Sequence, residues 1–218
     1  MWFSKTLKRL QTLANGGGRT EKEIYVPYGR HSYGPQPEMV GDLRIILQKA
    51  RGTKVGNFCS IAPGLKFTFL GRRRLEWVST YPFYGFYDQW KTSWPPIYQN
   101  GAMNYAQIPP NPIIIENDVW MASNVTVKEG VRISNGAVVA MDSLVIKDVP
   151  PYAFVGGRPA RIIKYRFSKE QIEDLLRIAW WNWTDTDIMQ AVPLLLSDDI
   201  DSFIKMAKKS KNHKIDEA

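Results

Sequence analysis

An aliphatic residue or Met returns at every sixth place through Ile115, Met121, Val127, Ile133, Val139 and Val145. Four residues after each comes another small or branched residue: Val119, Val125, Val131, Ala137, Ser143 and Val149. Neither the 3.6 period of a helix nor the 2.0 period of a strand gives this spacing. Aliphatics make up roughly a third of an average chain, so six hits in register arise by chance about once in a thousand tries. A unit this short cannot hold a core alone. It fits a short flat strand and a tight bend stacked on copies of itself, the hexapeptide class of β-helical solenoid. With three units per triangular coil, Ile115 lies beneath Ile133, Met121 beneath Val139, and Val127 beneath Val145. The bends fall at Asn117-Asp118, Ser123-Asn124, Glu129-Gly130, Asn135-Gly136 and Met141-Asp142, where Asn, Asp and Gly tolerate strained corner torsions.

The same unit occurs earlier, from Val55 and Ile61 with Phe67 in phase, and in "YGRHSY" from Tyr28. Between Phe67 and Ile113 the phase is lost. That stretch carries Trp77, Tyr81, Phe83, Trp90, Trp94 and Tyr98, too apolar for disorder, and reads as an arm extruded over 70–112. The solenoid is expected to stop after Val149. Beyond it, Ser168-x-x-Gln171 is a capping box for a helix with Ile172, Leu175, Leu176 and Ala179 on one stripe. A second helix is expected from about Asp185 to Leu196, interrupted by Pro193, and a third from Asp199 to Ala207. The expected organisation is an amphipathic helix over 1–18, a β-helix over 19–166, C-terminal helices over 167–207 and a flexible tail over 208–218. The first helix, with Trp2, Phe3, Leu7, Leu10 and Leu13 against Lys5, Lys8 and Arg9, reads as docking on its own or a neighbouring subunit; peripheral membrane contact is the alternative.

Other classes are weighed against composition. No secretory segment and no apolar run near twenty residues is found, so a cytoplasmic protein is expected. The net charge of +8 is scattered and has no nucleic-acid motif with it, which argues against a nucleic-acid partner. The single Cys59 reads as a packed thiol. With two histidines in the chain, His31 and His213, a three-histidine zinc site between subunits cannot be built, and no metal is expected.

The combination "VGNFCSIAPG", "WVSTYPF", "IENDVWMASNVTV", "GAVVAMDSLVIKDVPPYAFVGGRPARIIKYRF" and "WWNW" resembles the xenobiotic acetyltransferase family, a branch of the hexapeptide acyltransferases. That family includes streptogramin and chloramphenicol O-acetyltransferases and many sugar or polysaccharide O-acetyltransferases. The match covers about Tyr28 to Trp183. It implies a mainly β fold, a left-handed parallel β-helix with an extruded loop and C-terminal α-helices. It also implies a homotrimer with acetyl-CoA between adjacent subunits. The small residues Ala122, Ala140 and Ser143 would let two subunits approach with a slot for pantetheine between them. Gly156-Gly157 permits close backbone approach, and Arg158, Arg161, Lys164 and Arg166 are the cations for the phosphates. Trp120 would stand beside the cofactor, or else pack the trimer. Ala122 replaces the Gly that usually follows "VW".

Acetyl transfer to a hydroxyl needs a proton acceptor, a task suited to His. In the family this His sits in a pattern like Asn-His-Arg-x-Asp-Trp before "TYPF"; here the stretch reads Arg72-Arg73-Arg74-Leu75-Glu76-Trp77. Arg73 holds the His place and cannot act as a base. Three readings follow: His31 or Glu76 supplies the base; Arg73 neutralises an acidic acceptor or the oxyanion; or catalysis is lost and the scaffold binds a ligand. The favoured function is an O-acetyltransferase acting on a sugar or polysaccharide precursor, with an antibiotic O-acetyltransferase or a non-catalytic binding protein as alternatives.

Overall fold

The computed structural model describes residues 24–41, 43–69, 78–81, 93 and 109–216. The expected helix over 1–18, most of the arm, Arg73 and Glu76 lie outside these residues. The repeat builds three sheets of parallel rungs that form the walls of a prism. The first wall is β2 (Lys54–Val55), β5 (Ile114–Ile115) and β8 (Arg132–Ile133). The second runs in the order β12 (Ala160–Tyr165), β11 (Ala153–Gly157), β9 (Val138–Val139), β6 (Trp120–Met121) and β3 (Ser60–Ile61). The third is β1 (Glu38–Gly41), β4 (Lys66–Phe69), β7 (Thr126–Lys128) and β10 (Leu144–Val145).

Register follows the expected stacking: Ile115 pairs with Ile133, Met121 with Val139, and Val127 with Val145. In each two-residue strand the second side chain points inward and is buried, while the first faces out. The inward columns Val55–Ile115–Ile133, Ile61–Met121–Val139–Val155 and Phe67–Val127–Val145 are a single continuous core. Branched side chains suit it because they pack well on the pleated surface.

The corners take the torsions that the sequence foresees. In all five bend pairs the second residue has positive φ: Asp118 (56), Asn124 (61), Gly130 (76), Gly136 (69) and Asp142 (56). Side-chain amides tie successive coils at the corner between the first and second walls. Asn57 Oδ1 accepts from Arg30 N (2.9 Å), Asn117 Oδ1 from Asn57 N (2.8 Å), and Asn135 Oδ1 from Asn117 N (3.0 Å). Gly56 is required beside this ladder, since a Cβ there would stand 2.7 Å from Asn117 Oδ1.

The structure departs from expectation at four places. A helix, α1 (Leu43–Lys49), is inserted between β1 and β2, and buries Ile45 and Ile46 on the core. The stack does not stop at Val149, because β11 adds a further rung on β9 and β12 folds back antiparallel on β11. The helices α2 (Lys169–Ile178), α3 (Asp185–Leu195) and α4 (Ile200–Asp216) follow. Pro193 lies within α3 close to its end and does not interrupt it, although a proline supplies no N–H for the i→i−4 bond there. The expected flexible tail 208–218 is instead helical as far as Asp216, through a Lys-rich stretch with neither Gly nor Pro to stop it. The capping box forms as expected: Ser168 Oγ accepts from Gln171 N, and Gln171 Oε1 from Ser168 N. These helices make a second core around Trp181, Leu175, Phe203 and Tyr152. Among the described residues no helix is long and apolar enough to cross a membrane.

Candidate functional site

The expected cofactor-lining residues gather at one corner, where the second wall turns into the third. Ala122 N bonds to Val139 O and Ala140 N to Val155 O, so Ala122, Ala140 and Gly156 occupy the same place on three successive coils. A Cβ on Gly156 would lie 3.0 Å from the Ala140 Cβ, so only glycine keeps this edge thin. Ser143 departs from the expected role. It is buried, and its hydroxyl donates to Ala140 O at 2.6 Å, so it braces the corner from within rather than lining a slot.

The β11–β12 hairpin leads away from this edge through Gly157, whose φ of 99 suits a residue without a side chain. Arg158, Arg161 and Lys164 on it are exposed. Among the described residues none of the three pairs with a carboxylate, and Arg161 donates only to its neighbour's carbonyl, Ala160 O, at 3.0 Å. Arg166 is different. It donates to Gly136 O at 2.7 Å, lies 3.4 Å from Asp118 Oδ2 and stacks over Tyr152 and Phe167. Burial pushes Asp118 above the usual carboxylate range, with the Arg166 charge opposing. Arg166 is therefore a structural cation that locks the helices onto the solenoid.

Trp120 projects from the outer side of the second wall and is 53% exposed. Its ladder neighbours are Ser60 and Val138. Ser60 Oγ donates to the Tyr33 hydroxyl at 2.6 Å, so Tyr33, Ser60 and Trp120 form one outward column over three coils. Cys59 is buried as expected, and burial pushes its thiol up to about 11, which makes it a poor nucleophile.

His31 lies at the opposite edge of this wall from Ala140, in the bend before Tyr33, with φ 59. Its Nε2 is 3.0 Å from Asp185 Oδ1, and its ring stacks on Phe58 with centroids 4.8 Å apart. Arg30 shares the same oxygen at 2.8 Å and reaches Trp183 O at 2.6 Å. The hydrogen bond from His31, then the charges of Arg30 and His31, hold Asp185 below its ordinary pKa against some desolvation. Asp185 must then be the acceptor, and Nε2 the donor. Sequence reading missed Asp185, Arg30 and Phe58. A helix's first residue looks like a capping choice, and nothing local links it to a bend 154 residues earlier.

No protein-family profile matches the chain. Among curated proteins, it is 43% identical over 148 residues to a chloramphenicol acetyltransferase of Klebsiella aerogenes, covering 67% of each. It is 40% identical over 163 residues to a probable macrolide acetyltransferase of Lysinibacillus sphaericus, covering 74% of this chain and 81% of that protein. The chain belongs to the xenobiotic acetyltransferase family. A virginiamycin A acetyltransferase of Staphylococcus aureus, another relative, is 36% identical over 171 residues, covering 78% of this chain and 71% of that protein. As a member of this family the chain is an acetyltransferase. The hexapeptide repeat and the prism above are the framework on which it works.

Proposed function

We propose that this chain is an acetyl-CoA-dependent O-acetyltransferase, and that it works as a cytoplasmic homotrimer of left-handed coils with its active sites at the subunit interfaces. The observation that carries the reading is the thin corner of Ala122, Ala140 and Gly156 running into the unpaired cations of the β12 hairpin. The pantetheine arm of coenzyme A is a narrow, amide-bearing chain joined to a diphosphate. It needs backbone groups reached past small side chains and cations beyond them. Trp120 would flank the acetyl end. The acceptor is a hydroxyl on a small molecule. The relatives' names support an antibiotic, and the sequence reading favours a sugar or polysaccharide precursor.

His31 supplies the base in this reading, since Arg73 cannot. Arg73 provides charge to the acceptor or oxyanion. Calorimetric titration with acetyl-CoA tests the cofactor site. Arg161→Ala combined with Lys164→Ala is expected to weaken binding at least tenfold, because one charge-assisted contact is worth about 1.5–3 kcal/mol. Unchanged affinity in the double variant would move the phosphate site off the hairpin.

A further inference from the structure

We propose that Asp185 is the positioning residue that makes His31 a proton acceptor, an inference that rests on His31 being the base. The carboxylate accepts from Nε2 at 3.0 Å, so the proton of the neutral ring sits on Nε2 and the lone pair on Nδ1. The ring cannot swing away, because it lies on Phe58, which in turn packs on Trp180 at 4.9 Å. Asp185 is itself fixed as the first residue of α3, behind the Thr184 cap. Arg30 keeps the carboxylate ionised and aimed. Part of the imidazole is open, with 47% of the side chain exposed.

The reaction requires the acyl group to reach the His31 edge of the wall, within hydrogen-bond range of Nδ1 through the attacking hydroxyl. His31 precedes Tyr33, which heads the outward column through Ser60 to Trp120 on the wall bordered by the thin corner. Two coil spacings, on the order of 10 Å, separate Tyr33 from Trp120 along the ladder. The acceptor hydroxyl oxygen attacks the thioester carbonyl carbon as its proton passes to His31 Nδ1. The C–S bond then breaks, and the same proton goes to the departing sulfur, leaving an acetyl ester and a free thiol. Asp185 takes no proton at any stage. It stabilises the transient imidazolium and holds the tautomer.

The test is a double-variant cycle on full-length protein, with thiol release measured from acetyl-CoA and chloramphenicol. His31→Ala is expected to lower kcat about 10²-fold. Asp185→Asn should lower it at least tenfold with the KM for acetyl-CoA unchanged, and Asp185→Glu should recover part of the loss. In the His31→Ala background, Asp185→Asn should cost less than twofold, because its partner is gone. An equal cost in both backgrounds, or a wild-type kcat for Asp185→Asn, would overturn the positioning role while leaving His31 as base. Wild-type kcat in His31→Ala would overturn the base assignment, and with it the inference. If Asp185→Asn does not fold, Asp185→Glu carries the same cycle. The same cycle is run on a panel of nucleotide sugars, and no turnover by the wild type on any of these acceptors would sink the catalytic reading and this inference together.

Discussion

Val139→Asp is expected to leave no folded protein. Val139 is fully buried in the column between Met121 and Val155. A carboxylate there has aliphatic neighbours above and below and no cation to meet. Stripping water from an unpaired ion costs several kcal/mol even after relaxation, and a domain's whole margin is about 5–15 kcal/mol. Each coil also offers its strand edge to the next, so a disrupted rung undermines both neighbours. The adjacent Val138→Asp is the control, because Val138 faces outward and is only half-buried. Expression followed by thermal unfolding separates them: Val139→Asp should be insoluble or show no cooperative transition, while Val138→Asp melts as a folded protein. A Val139→Asp variant melting within about 5 °C of the wild type would mean that the inward column is not the core.

Arg73→His is expected to lower acetyl transfer rather than raise it. The substitution restores the residue that the family pattern carries at this place, so a vacant base position would give a gain of about 10²-fold. With His31 serving as base, the change instead removes a cation from the acceptor or the oxyanion. A lost charge-assisted contact of about 1.5–3 kcal/mol corresponds to a drop of roughly ten- to a hundredfold in kcat/KM. Steady-state rates on chloramphenicol and on a panel of nucleotide sugars decide the sign. A rise would assign the base to the arm and take it away from His31.

The solenoid was legible because its information is local and periodic. Ile115, Met121 and Val127 are placed by spacing alone, and the bends at Asp118, Asn124 and Gly136 by residues that tolerate positive φ. The capping box at Ser168 is equally local. Helix α1 escaped notice because Ile45 and Ile46 are adjacent, which gives a seven-residue segment no readable helical period. The rung at β11 was hidden by the Pro150-Pro151 pair, which shortens the coil so that Val149 bridges Ile133 out of the eighteen-residue spacing. Small residues at Ala122, Ala140 and Ser143 looked equivalent in sequence. Only the fold shows that the Ser143 hydroxyl turns inward to Ala140 O. The His31–Asp185 contact joins the first coil to the C-terminal helices, a long-range pairing that spacing cannot encode.

Calorimetric titration of the wild-type protein with acetyl-CoA, paired with detection of free thiol on adding acceptor, measures directly whether the prism is a working acetyl-CoA site. Saturable binding at one site per chain is expected, with thiol release that depends on a hydroxylated acceptor. Absence of binding at millimolar acetyl-CoA would contradict it.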